Sequence, residues 1–297
     1  MPLCREIIYT SLKDGKMKKL LDFENIDKRI RDALEEDCVK NDVTSLALID
    51  SERRGKAFIT AREKGVLCGL PIAERCFKAL DSEVDFEPVL ADGAILTHGD
   101  VISRLKGNLR SLFASERLAL NLLGRLSGIA TLTAAFVNKA APHGVRIFDT
   151  RKTTPLWRDV EKYAVRIGGG ENHRMNLSGA CFVKDTHIDA NGGMEVAMEK
   201  LFQRGAIPRP IIVEARTLEE AEVASRRPVD VILLDNATPE MISHIITVVQ
   251  PECEIEISGG ITFDNIEEFA RSGASRISIG SLTHSVKSLD IALEYEE

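Results

Sequence analysis

One pattern constrains this chain more than any other. From Gly144 onward, short apolar runs recur, each closing on a polar residue before a helical stretch. The runs are 146–150, 181–185, 211–215, 231–236, 254–260 and 276–280, with ends about 20–35 residues apart, the length of a strand–helix unit. Val/Ile/Leu-rich runs suit parallel strands covered on both faces. Six such units leave a barrel or a doubly wound sheet. A doubly wound sheet gathers its chemistry at one switch-point crevice. A barrel spreads it over the ends of several strands around one mouth. Here the run ends carry Arg151, Lys152, Lys184, Asp185, Glu214, Asp235, Asn236, Ser258, Gly259, Gly260 and Gly280. That distribution predicts an α/β barrel.

The first part of the chain follows a different grammar, α plus β. The apolar spacing of Ile26, Ile30 and Leu34 predicts a helix over 26–35. The stretch 41–45 (NDVTS) reads as a turn. Strands are expected over 56–61 and 65–70, then a helix over 71–80 opened by Pro71. Gly-Asp turns within 92–107 predict short strands. Residues 115–141 read as a long linking helix that Gly124 and Gly128 interrupt. At 297 residues the chain fits one barrel and one smaller domain. Expected boundaries are an N-terminal extension over 1–16, an N-terminal α/β sandwich domain and linker over 17–130, and the barrel over 131–297, its tail returning to the first domain. Residues 1–16 lack the apolar core of a signal peptide, and Met17 is a second candidate start. No window reads as the ~18 apolar residues of a membrane span. The six cysteines form no CxxC pair and read as small buried hydrophobes in a reduced, cytoplasmic protein.

Charge narrows the ligand. A net charge of −7 argues against a general nucleic-acid binder. Between Gly144 and His187, however, eight Lys or Arg face five Asp or Glu, so this segment carries +3 and the remainder −10. Arg151, Lys152, His173, Arg174 and Lys184 fall in it. Any one alone reads as a solvated surface charge. Five at a single mouth repel each other unless an anion neutralises them, and Arg and Lys together suit a compact, multiply anionic ligand. His173 reads as a donor or proton carrier, or equally as a partner to a backbone carbonyl. Glycines at 168–170, 258–260 and 280 allow close backbone approach. The last two groups end the final two strands, where barrels often hold phosphate. Asp264 reads as a helix cap. Glu214 and Asp235 end otherwise apolar strands; they suit sugar hydroxyls or Mg2+ held through a diphosphate, or else pair with the cations. No transition-metal spacing and no GxSxG, HExxH or GxxxxGK[ST] occurs. Physical reasoning thus reaches a barrel that binds a small polyanion, without reaching a reaction.

Several segments together resemble quinolinate phosphoribosyltransferases. They are DTRKTTP (149–155), EKYAVRIGGGENHRMNLS (161–178), VKDTHI (183–188), VEARTLEEAE (213–222), LLDNATPE (233–240), EISGGIT (256–262) and ISIGSLTHS (277–285), with ERLALNLLGRLSGIAT (116–131) similar to the linker helix. The resemblance runs from about Met17 onward. It implies a barrel of about six or seven strands behind an N-terminal α/β sandwich, in a homodimer whose subunits complete each other's sites. The implied reaction joins quinolinate to 5-phosphoribosyl-1-diphosphate with Mg2+, giving nicotinate mononucleotide, diphosphate and CO2. It implies a quinolinate pocket of Arg151, Lys152, His173, Arg174 and Lys184, with Arg117 from the second subunit. It implies phosphoribosyl contacts at Glu214, Asp235, Asn236, Ser258, Gly259, Gly260, Gly280 and His284. Lys152, Lys184, Glu214 and Asp235 are the expected catalytic groups. The chain departs from the family pattern at Leu156 and Trp157, usually Gly-Leu, at Asn176 and Gly179, usually Gly and Asp, and at Thr186, usually Asn. Two rivals are a paralogous phosphoribosyltransferase acting on another aromatic acid and a non-catalytic phosphometabolite-binding barrel.

Overall fold

The computed structural model describes residues 21–249 and 252–296. The expected extension over 1–16 and Cys4 lie outside them. The chain forms two compact units, and the division does not fall at one point in the sequence. One unit comprises residues 21–134, 154–169 and 285–296; the other comprises 135–153 and 170–284.

The first unit is built on an antiparallel sheet of β1 (Arg54–Ala61), β3 (Asp85–Pro88), β5 (Val101–Asn108) and β12 (Ile291–Glu296), in the order β12-β1-β5-β3. A two-stranded ladder of β2 (Gly65–Val66) and β4 (Ile95–Leu96) accompanies it. Helix α1 (Phe23–Glu36) starts where Asp22 accepts the Asn25 N–H, and it buries Ile26, Ile30 and Leu34 against α3 (Leu70–Leu80). Each such side chain contributes about 1.5–3 kcal/mol. The turn expected at 41–45 is instead a helix start: Asp42 caps α2 (Val43–Leu48) by accepting from Thr44 and Ser45. The strand expected over 65–70 stops after Val66. Beyond it the buried Asp92 carboxylate accepts both the Gly69 and Leu70 N–H groups at 2.9 Å, and α3 begins there. Tyr163, on α5 (Arg158–Ile167), donates to the same carboxylate at 2.8 Å.

The long helix α4 spans Leu109–Ala140 without a break at Gly124 or Gly128. Those glycines are contact points instead. A Cβ at Gly128 would lie 2.2 Å from the Lys287 carbonyl oxygen, and one at Gly124 would lie 2.8 Å from that of Leu289. By length and composition this helix, with the turn after it, is apolar enough to cross a membrane, contrary to the sequence expectation, but 56% of its most apolar window is buried inside the protein.

The second unit holds a six-stranded parallel sheet: β6 (Arg146–Phe148), β7 (Cys181–Val183), β8 (Ile211–Ala215), β9 (Val231–Asp235), β10 (Glu254–Ser258) and β11 (Arg276–Ser278), ordered β6-β11-β10-β9-β8-β7. With its helices it forms an α/β barrel. All six predicted runs are strands, but most end earlier than predicted, because their polar last residues already belong to the loops. Helices α6 (Asp185–Ala190), α7 (Met194–Gln203), α8 (Leu218–Ser225), α9 (Pro239–Val248), α10 (Ile266–Arg271) and α11 (Ser281–His284) follow the strands. The gap between β6 and β7 is bridged by the 171–174 segment. Glu171 pairs with Phe148, its N–H donating to the Ile147 carbonyl at 2.7 Å, and Arg174 reaches the Ala180 carbonyl at 3.1 Å. Asp264 is not the cap: Asn265 holds the N-cap position without a side-chain capping bond, and its side chain instead accepts the Thr262 N–H and donates to the Gly260 carbonyl, bracing that loop.

Candidate active site

The mouth of the barrel encloses a cavity of about 390 Å³. Arg151 and Lys152 reach it from the loop after β6. His173 and Arg174 come from the bridging segment, and Lys184 from the end of β7. Glu214 comes from β8, Asp235 from β9, Ser258 from the end of β10, Gly259 and Gly260 from the loop after it, and Gly280 and His284 from the stretch after β11. Twelve of the fourteen predicted site residues therefore share one space. Asn236 does not line it. It takes the left-handed conformation (φ 55°), donates to Asp235 Oδ2 at 2.9 Å and orients that carboxylate. A Cβ at Gly259 would fall 2.3 Å from Asn236 Oδ1, so only glycine fits opposite. Arg117 lies on α4 in the other unit, its side chain 66% exposed and 3.6 Å from Glu116. Gly168–Gly170 do not line the cavity either; Gly168 caps α5 and packs against α4.

The cations crowd one side. Burial, and then the nearby Arg151 charge, pull the Arg174 guanidinium below its usual range. Phe182 forms a floor beneath them. The Arg174 guanidinium lies 5.0 Å and Lys184 Nζ 5.2 Å from its ring centroid, distances at which the ring face attracts a cation. The His173 ring tilts against it, with centroids 5.5 Å apart. On the other side, Glu214 is pushed up from the ordinary carboxylate value, chiefly by burial and then by the Asp185 and Asp235 charges, with Lys184 and Arg216 opposing.

His173 is placed by its neighbours. The buried Asp149 carboxylate accepts its backbone N–H at 2.9 Å and the Asn172 side chain at 2.5 Å. The ring Nδ1 accepts the Arg174 N–H at 2.9 Å, so the neutral ring carries its proton on Nε2, the nitrogen 3.6 Å from Glu256. A chain of ion pairs runs from the buried Glu256 to the partly exposed Glu254 and Arg146. Glu256 faces Arg276 at 3.1 Å, Arg276 reaches Glu254 at 3.0 Å, and Arg146 reaches Glu254 at 2.5 Å. Burial pushes Glu256 up, with Arg276 opposing.

Sequence reasoning missed Phe182, Leu233 and Ser278 in the lining. Each stands two residues before a predicted mouth residue, namely Lys184, Asp235 and Gly280, so strand alternation puts it on the same face. No cluster of three metal-ligating side chains occurs among the described residues. Glu214 and Asp235 are hard oxygen donors in a spot where negative charges repel. That suits Mg2+ shared with phosphate oxygens better than a cage made of protein alone.

The C-terminal-domain model of quinolinate phosphoribosyl transferase matches residues 129–294, and the N-terminal-domain model matches residues 42–127. The chain belongs to the quinolinate phosphoribosyltransferase family. Relatives in this family include a probable nicotinate-nucleotide pyrophosphorylase (carboxylating) of Bacillus subtilis, 40% identical over 87% of this chain and 89% of its own. Another is quinolinate phosphoribosyltransferase (decarboxylating) 1 of Nicotiana glauca, 35% identical over 86% of this chain and 77% of its own. The crystal structure of NadC from Streptococcus pyogenes is 41% identical, with a TM-score of 0.88 over 93% of this chain and 99% of that one. The family fold is thus retained here alongside the departures at Leu156 and Trp157, which lie in the first unit. Leu156 adopts φ 68°, the left-handed region that glycine occupies freely, and the buried Arg29 holds the turn through the Leu156 carbonyl, Asp159 and the Trp157 ring.

Proposed function

We propose that this chain transfers phosphoribosyl from 5-phosphoribosyl-1-diphosphate to quinolinate with decarboxylation, giving nicotinate mononucleotide, diphosphate and CO2 in de novo NAD biosynthesis. One observation carries the reading: four cations, His173 and two acids line a single cavity in a chain of this family. Arg151, Lys152, His173, Arg174 and Lys184 hold the two adjacent carboxylates of quinolinate by charge-assisted bonds. The anion relieves the repulsion between Arg151 and Arg174. Ser258, Gly259 and Gly260, with Gly280 and His284, hold the phosphoribosyl group, and Asn236 acts by orienting Asp235.

Holding both reactants converts an encounter into a positioned attack. The ring nitrogen forms a bond to the anomeric carbon as the bond to diphosphate breaks. Glu214 and Asp235 stabilise the positive charge that develops there. The ring is now cationic. The bond to the neighbouring carboxylate breaks, CO2 leaves, and the electron pair stays on the ring carbon, stabilised by the adjacent charged nitrogen until a proton adds. Lys152 and Lys184 support this step. Glu214 and Asp235 would be the residues near which Mg2+ is held, and bound there it would supply charge neutralisation for the departing diphosphate.

The assembly in this reading is a homodimer in which Arg117 of one copy completes the pocket of the other. Exposure of Arg117, and of Val43, Leu46 and Leu48 on α2, supports it. The protein is cytoplasmic in this reading; Cys38, Cys68, Cys76, Cys181 and Cys253 are free thiols, as a reducing compartment favours.

The test is an assay with quinolinate, 5-phosphoribosyl-1-diphosphate and Mg2+, read by CO2 release and mass detection of the mononucleotide. Nicotinate in place of quinolinate is expected to give no product; reaction with nicotinate alone would reverse the assignment. Lys152→Ala and Arg174→Ala are each expected to lower turnover about a hundredfold or more while circular dichroism stays unchanged. Near-normal activity in both would sink the pocket.

A further inference from the structure

Gly280 does more than end a strand. A Cβ built on it would meet Lys152 Cδ at 2.9 Å and His284 Nε2 at 3.1 Å. The Lys152 stem therefore crosses the place where a side chain would stand. The same lysine is held a second time through its backbone. Thr283, on α11, donates from Oγ1 to the Lys152 carbonyl at 2.7 Å, across 131 residues of sequence. The longer contact of that hydroxyl, 3.2 Å to the Gly280 carbonyl, stays within its own helix. Thr283 has no exposed surface. The Lys152 N–H in turn donates to Thr150 Oγ1 at 3.0 Å. A carbonyl in a strand-to-helix loop has no ladder partner, so a buried hydroxyl that satisfies it also fixes where the loop lies.

We infer that Thr283 is a positioning residue for the reaction: it fixes the backbone from which the Lys152 side chain starts, while Gly280 leaves the stem its path. The inference rests on reading Lys152 as a pocket cation. A lysine is a point charge on a flexible four-carbon stem, so its ammonium is placed only as well as its backbone and stem are. Both constraints come from the short stretch 280–283. Neither Thr283 nor its hydroxyl touches the cavity, so it acts on the reaction by holding the Lys152 backbone and not by touching a ligand.

Thr283→Val keeps the shape and removes the donor; Thr283→Ser keeps the donor. The valine variant is expected to lose about tenfold to a hundredfold in kcat/KM for quinolinate, and the serine variant to stay within about threefold of the parent. Thermal melts by circular dichroism check that each variant folds; if the valine variant melts early, Thr283→Ala takes its place. In a Lys152→Ala background the valine change is expected to cost almost nothing more, since the group it positions is gone. That arm is read by calorimetric affinity for quinolinate and by single-turnover product mass. Three results would each overturn the inference: a folded valine variant as active as the parent, a serine variant as weak as the valine one, or an equal loss in both backgrounds. A parent chain inert on quinolinate would instead overturn the functional reading beneath it.

Discussion

In the proposed reaction Glu214 carries charge where its surroundings disfavour charge. Burial and the charges of Asp185 and Asp235 raise its pKa. It therefore takes up a proton at a higher pH than an ordinary carboxylate, about 4.3, and below that point its proposed stabilising role disappears. The linkage has a matching sign. A carboxyl whose folded pKa is raised favours folding most when protonated, and that contribution is lost as pH rises through the raised value. We expect an acidic limb in the pH profile of kcat/KM. Asp185→Asn removes one of the charges that raise Glu214, so it is expected to move that limb to lower pH; a limb that stays put would show that another group sets it. Leu156 shows a different tension. It keeps a backbone conformation that costs an L-residue about 1–3 kcal/mol, held by Arg29 and Asp159. No sequence pattern pointed to Arg29, because the turn it braces lies more than a hundred residues away.

The parallel strands were readable because burial on both faces forces continuous apolar runs. Their ends were not, because a polar residue that finishes a strand and one that begins a loop look alike in sequence. Phe182 escaped notice for the opposite reason: within an apolar run, an inward aromatic is indistinguishable from an outward one until one inward position is known. Helix α4 was misjudged through its glycines. Propensity alone favours Gly128→Ala by about 1 kcal/mol. The 2.2 Å approach of the Lys287 carbonyl reverses the sign, because a backbone oxygen cannot step aside. We expect Gly128→Ala to destabilise the protein by about 1–3 kcal/mol, and Gly124→Ala, with its longer 2.8 Å approach, by less. Denaturant melts of the two variants check the order; a stabilised Gly128→Ala would mean that the 287–289 segment is not held there.

For the molecule as a whole, the uneven charge was the most informative global number. The +3 segment contains all four Lys and Arg residues that line the cavity, and His173 with them, while the rest of the chain is acidic. Arg117 could not be found by any argument from charge or periodicity, since an exposed arginine on a helix has no distinguishing pattern. Its assignment needs a second copy. If sites are shared, an inactive Arg117→Ala chain mixed with an inactive Lys152→Ala chain is expected to regain partial activity, because a heterodimer contains one site with both residues intact. No recovery in purified heterodimers would remove Arg117 from the site. The last strand carries one more consequence. β12 pairs with β1 along six residue pairs, from Lys56–Glu296 to Ala61–Ile291, and the whole barrel is made between them. During synthesis β1 leaves the ribosome more than two hundred residues before its neighbour exists. The part of the protein that is made first is therefore finished last, and until then the β1 edge opposite β5 stays open to other partners, a hazard that a chaperone must cover.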